Sequence, residues 1–227
     1  MHKLLTVHVV DLTFGFIFSK TKLDKEDDMS VSVSEAVAAV SDFLDEEYQT
    51  VNQYARQLIN AGMLPKSRGR AIATVSTAQL MRLVLAVALR PKYAETAKLT
   101  RKYWGLKVDG VPESAPSNLK QTVGGFLTSA ANLLGADPAK LEAEARLLRE
   151  NERAAEIEVI TSWPAVIHRT PGAGQIVFAA GGVPGHWQGN VKRSVTISGV
   201  GLLELLDGLE PARLGIPNAY DDLDGTE

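Results

Sequence analysis

The sequence predicts an α+β protein in which helices occupy the first two thirds of the chain and a small antiparallel sheet, closed by a terminal helix, follows. Three observations carry this expectation. Apolar residues recur at helical spacing from Ser34 to about Arg153, apolar and polar residues alternate with a period of two from Glu156, and Gly or Pro marks most junctions. With 227 residues, 45% of them hydrophobic, the chain can build one large domain or two small ones.

In chain order, the first stretch, LLTVHVVDLTFGFIFSK, is apolar but interrupted by Asp11. No small-residue cleavage site follows, so it makes a poor signal peptide, and it is too short and broken to span a bilayer. Val7, Val9, Leu12, Phe14, Phe16 and Phe18 alternate as in a strand. Residues 1–29 are expected to be a leader, either disordered or preceding a true start at Met29. A short amphipathic helix is predicted over Ser34–Glu47. A second begins at a Thr50 cap, carries Val51, Tyr54, Ala55, Leu58 and Ile59 inward and stops at Gly62, with Pro65 barring continuation.

Residues 66–75, KSRGRAIATV, form an exposed basic loop or short ribbon around Gly69. Ser76 with Gln79 makes a capping box into STAQLMRLVLAVALR, a helix apolar almost all round and therefore a buried central helix or an interface. Pro91 ends it, and a short helix follows up to Gly105. Residues 30–105 are thus read as one helical module and 106–116, LKVDGVPESAP, as a linker. A helix capped by Ser117 and another opened by Asp137-Pro138 come next. Strands are predicted at 156–161, 164–169, 175–180 and 191–198, with TPGAG as a hairpin turn and GVGLLELLDGL as the closing helix. Residues 117–210 form this second, α+β module, residues 211–227 are expected to be an acidic, disordered tail, and no internal repeat is apparent.

The net charge of −3 conceals a strong asymmetry. Residues 1–49 hold 4 basic and 10 acidic side chains, residues 50–110 hold 11 and 2, and residues 111–227 hold 9 and 15. A basic block between acidic flanks suits a polyanion, because each neutralised phosphate releases condensed counterions. The alternative is a solvated helical surface balanced by those flanks within the fold. The absence of cysteine excludes disulfides and thiolate metal sites and fits a reducing cytoplasm.

Within the basic block, Lys66, Arg68 and Arg70 alternate in five residues between two delimited helices, as a loop reaching phosphates or a minor groove requires. Ser67 and Thr74 add hydroxyl donors. The rival reading is a surface turn without function. A helix-turn-helix-like module also needs a helix that shows polar side chains to base edges, and the helix after Ser76 offers Thr77, Gln79 and Arg82 in its first two turns. Arg56, Gln57 and Asn60 are placed to face the DNA backbone. Lys92, Lys98, Arg101 and Lys102, with Tyr93, Tyr103 and Trp104, make a second basic and aromatic patch. Base stacking is one reading of it, and core anchoring by the aromatics beside solvated cations is the preferred one.

No enzymatic constellation stands out. The four His, at 2, 8, 168 and 186, show no metal-ligand pairing, although His168 and His186 could approach one another in the sheet. Glu142 with Glu144, and Glu156 with Glu158, read as solvated faces. The glycines of AGGVPGHWQGN lack a dinucleotide fingerprint. No catalytic role, metal or cofactor is expected.

The stretch YARQLINAGMLPKSRGRAIATVSTAQLMRLVLAVAL resembles the N-terminal module of small regulators carried by prophages and gene transfer agents of alphaproteobacteria. There a helix ends in a Gly-Leu/Met-Leu/Ile-Pro turn, a basic Gly-containing loop follows, and a capped apolar helix comes next. WPAVIHR and VTISGVGLLELL likewise resemble the β-rich end of such phage proteins. The resemblance covers about half the chain, and the long leader departs from it. It implies transcription control through double-stranded DNA, with Lys66, Arg68, Arg70 and the Ser76 helix near the duplex. The expected partners are then DNA, a second copy of the chain as a homodimer, and RNA polymerase or another regulatory protein, in the cytoplasm and away from membranes. The alternative is a phage-type accessory or assembly protein whose basic block meets a protein partner.

Overall fold

The computed structural model describes residues 28–67, 72–112, 114–115, 120–180 and 193–209. Strand β1 (Asp28–Ser32) runs directly into helix α1 (Val33–Leu44), and α2 (Tyr48–Asn60) follows after a three-residue turn. Strand β2 (Thr74–Ser76) runs into α3 (Thr77–Leu89), and a further turn leads through a short 3-10 segment, Tyr93–Glu95, into α4 (Thr96–Trp104). Strand β3 (Lys107–Val108), α5 (Val123–Leu134) and α6 (Ala143–Arg153) precede the sheet strands β4 (Glu156–Ile160), β5 (Ala165–Thr170), β6 (Gly174–Ala179) and β7 (Ser194–Ser198). Helix α7 (Gly199–Gly208) closes the described fold. The α+β class expected from periodicity is present.

All strand pairing is antiparallel: β1 with β2 in a two-stranded ribbon, and β3-β6-β5-β4-β7 in a five-stranded sheet. The four strands foreseen in the second half lie within a few residues of their expected bounds, and the central β4 and β5 are buried on both faces. The β5–β6 hairpin turns where TPGAG was expected to turn, with Gly172 and Gly174 at φ of 76° and 104°, conformations open to Gly at little cost.

The helix starts differ from expectation in instructive ways. α2 begins at Tyr48 with Glu47 before it and no side-chain cap, so Thr50 lies inside the helix. Thr122, not Ser117, caps α5 by accepting from the Gly125 N–H, while 116–119 lie outside the described residues. Asp137 caps only a 3-10 turn over Pro138–Lys140, and α6 starts at Ala143. β1 takes in Asp28 and Met29, which the sequence reading assigned to the leader.

One hydrophobic core extends from Val31 to Leu209 and gathers side chains from both expected modules. α3 lies at its centre, against α1, α2, α4 and α5, with ten of its thirteen residues buried. Its apolar circumference is therefore covered within one chain. The expected linker also contributes: Leu106 is buried, and Lys107–Val108 add an edge strand to β6. Tyr103 ties the helical half to the sheet, its buried hydroxyl donating to the Ile160 carbonyl at 2.6 Å.

Burial pushes the Tyr103 phenol up from 10.0 to about 12. Between those values the unfolded chain releases a proton that the fold retains, so this contribution to stability is complete below pH 10 and declines as the pH rises toward 12. Tyr103→Phe is expected to cost about 1 kcal/mol at neutral pH through the lost hydrogen bond and to flatten that alkaline decline. Urea midpoints measured across the alkaline range check both effects.

Candidate nucleic-acid interface

The basic loop joins the end of α2 to the ribbon. Val31 and Val75 pair across the ribbon and are fully buried, which fixes its inward face. Ser32 pairs with Thr74, and these hydroxyl-bearing residues, with Ser76, occupy the opposite, half-exposed face. Each strand ends in a helix cap. The Ser76 hydroxyl accepts from the Gln79 N–H at 3.3 Å, and Gln79 Oε1 accepts from the Ser76 N–H at 2.9 Å, as the sequence indicated. Ser32 and Glu35 make the same reciprocal box on α1, a signal equally present in the sequence and not read from it.

Lys66 and Ser67 are exposed, and the Ser67 hydroxyl accepts from the Ala73 N–H at 3.1 Å, so the two ends of the loop meet. Arg68 and Arg70 belong to the intervening residues 68–71 and lie outside the described residues. Arg56 is exposed on α2, away from Val51, Ala55 and Leu58, which enter the core.

The first turns of α3 are less suited to base reading than their sequence suggested. Thr77 is buried and Gln79 is engaged in the cap. The Arg82 guanidinium lies 4.8 Å from the centre of the Trp104 ring, and burial holds its pKa below the usual value. Gly124 of α5 backs the same indole so closely that a Cβ there would come within 2.2 Å of it. Arg82 is thus one layer of a stack against Trp104, and a helix enclosed on most sides has little surface to lay in a groove. Thr74 stays on the ribbon and Ser67 at the end of the loop, Ser76 and Gln79 share the cap of α3, and Thr77 and Arg82 serve its packing.

The second patch divides by residue type. Tyr103 is a core residue, Trp104 is half-buried, and the exposed Tyr93 ring meets Tyr54 edge-on with centroids 5.1 Å apart. Lys92, Lys98, Arg101 and Lys102 are all exposed, and none forms an ion pair among the described residues.

Two carboxylates are buried, one of them, Glu158, against the expectation of a solvated face. Glu158 is paired with Arg169 at 2.6 Å, and Glu152, on the inner face of α6, lies 3.2 Å from His168 Nε2 on β5. His186 falls outside the described residues, so its expected approach to His168 does too. Among the described residues no group of three or more His, Asp or Glu is placed to hold a metal, and no helix is long and apolar enough to cross a membrane. No protein-family model, curated protein or solved structure matches this chain.

Proposed function

We propose that this chain binds double-stranded DNA through the β1–β2 ribbon and its basic loop, and regulates transcription at a prophage-type or gene-transfer-agent-type locus. The observation that carries this reading is the ribbon itself. A paired two-stranded element with buried Val31 and Val75 on one face and Ser32, Thr74 and Ser76 on the other is fed by the loop that begins at Lys66. Two-stranded ribbons fit a DNA groove and read it with short polar side chains, while neighbouring cations contact phosphate. Lys66 supplies one such cation, and Arg68 and Arg70 join it by sequence. The ribbon replaces the α3 helix as the reading element, since α3 is enclosed.

The experiment is a salt titration of binding to random-sequence duplex DNA. Several phosphate contacts require log affinity to fall linearly with log salt, by roughly 0.9 per contact. Changing Lys66, Arg68 and Arg70 together to Ala is expected to weaken all sequences alike and to reduce the slope by about 2 to 3. Thr74→Ala, in contrast, is expected to alter sequence preference with little change in slope. No binding at low salt would sink the reading.

A further inference from the structure

Residues 28–60 and 74–104 follow the same order of elements: strand, capped helix, turn, helix. β1-α1-α2 and β2-α3-α4 run in the same order, with Ser32 and Glu35 of the first cap at the positions of Ser76 and Gln79 of the second, and with α3 one residue longer than α1. The buried Ala36, Val37 and Val40 of α1 match Leu80, Met81 and Val84 of α3. Both first helices end in a non-glycine residue in the left-handed region, Asp45 at φ 51° and Arg90 at φ 45°, the two such residues in the described chain. In the second helices, Val51, Ala55 and Leu58 match Thr96, Thr100 and Tyr103, all buried. The strands of the two units pair antiparallel, and their turns touch through the Arg90–Glu46 ion pair and the Tyr54 hydroxyl, which donates to the Pro91 carbonyl.

The two stretches differ in charge. Residues 28–61 carry six acidic and one basic side chain, and residues 72–105 carry six basic and one acidic. Lys98 and Lys102 on α4, both exposed, stand where α2 has Gln53 and Gln57, Lys92 stands where the first turn has Glu47, and Arg101 stands where α2 also has a cation, Arg56. α4 also runs back toward the ribbon, since Trp104 at its end lies on Arg82 in the second turn of α3.

We infer that the exposed face of α4, Lys98, Arg101 and Lys102, together with Lys92 in the turn that leads into it, is a phosphate-backbone contact surface, so that one chain holds the duplex asymmetrically by its second unit. The inference rests on the duplex-binding reading above and extends it to residues outside the loop. Exposed cations on one helical face attract a polyanion, whereas the acidic first unit repels it.

The test uses the full chain and a random-sequence 20-base-pair duplex of about the length such a ribbon protein would cover. Lys98→Gln, Arg101→Gln and Lys102→Gln are combined in one variant, and circular dichroism checks its fold. The expected result is a loss of affinity of at least about tenfold and a salt slope smaller by about 2 to 3. A second variant, Lys98→Arg, Arg101→Lys and Lys102→Arg, should restore both, which separates charge from folding. If the parent chain binds and the neutral variant binds equally with the same slope, the α4 surface is overturned while the ribbon reading stands. If the parent chain does not bind duplex at low salt, both fall together.

Discussion

Gly199→Ala is expected to lower the stability of the fold by about 3 kcal/mol, the upper end of the usual cost of overpacking. Gly199 opens α7 immediately after β7, and its N–H donates to the Ala155 carbonyl at 2.8 Å. A Cβ at this position would come within 1.9 Å of the Glu152 carbonyl oxygen and 2.8 Å of that of Arg153. Both obstacles are backbone at the end of α6, so no rotamer change relieves the clash. The sheet edge, α6 and α7 would have to separate, and with them Leu202 and Leu206 would leave the core. For a chain of this size the loss corresponds to a fall of about 6–12 °C in Tm. Gly208→Ala in the same helix is the control, because nothing lies within 4 Å of its added Cβ. An unchanged urea midpoint for the Gly199 variant would mean that the α6 end yields freely.

Gly199 also illustrates which features the sequence displays and which it hides. The closing helix was readable from the apolar run in GVGLLELLDGL, but the reason for its first glycine lies on α6, nearly fifty residues earlier, and no local pattern carries it. Strands β4 to β7 were legible because alternation is local. The Ser76–Gln79 box was legible because a cap and its partner are three residues apart. The common element order of the two strand-helix-helix stretches is not legible in the sequence, because they share buried positions and not identities: Val37 stands at the place of Met81, Ala55 at that of Thr100, and Leu58 at that of Tyr103. Only the strand pairing and the turn contacts make the correspondence visible.

The candidate site divides in the same way. The basic block and the exposed Lys66 followed from charge and punctuation alone, whereas the closure of the loop by the Ser67–Ala73 hydrogen bond did not. The reading assigned to Thr77, Gln79 and Arg82 rested on their being the polar positions of an apolar helix. Arg82 sits there because an indole from Trp104 covers its guanidinium, and a partner more than twenty residues away cannot be read from helical spacing. Lys107–Val108 looked like a linker because a two-residue strand among Gly, Pro and Asp leaves no period to detect. Glu158 looked solvated beside Glu156, yet the sheet is covered at that position as well, with Ile160 and Ile167 of the same face fully buried.

The same concealment hides the Glu152–His168 pair, whose disruption is the second large effect expected. Both side chains are about 99% buried, Glu152 at 1% exposure on α6 and His168 at 1% on β5, with Nε2 and Oε2 3.2 Å apart and the His168 ring packed on Phe126 at 4.6 Å between centroids. Bringing two polar groups into a core costs desolvation that their mutual attraction only about repays. Removing one of them leaves the other buried without that attraction. His168→Leu and Glu152→Leu are therefore each expected to destabilise the fold by about 3–5 kcal/mol. The double variant, which replaces both with side chains that suit the surrounding Phe126 and Phe178, should recover most of that loss, because apolar replacement of a whole buried pair is often neutral. Urea denaturation of the four proteins forms a double-mutant cycle, and the expected coupling is at least about 2 kcal/mol. Additive losses in the double variant would show that the two residues act independently, and that the inner face of α6 is held to the sheet by its apolar contacts alone.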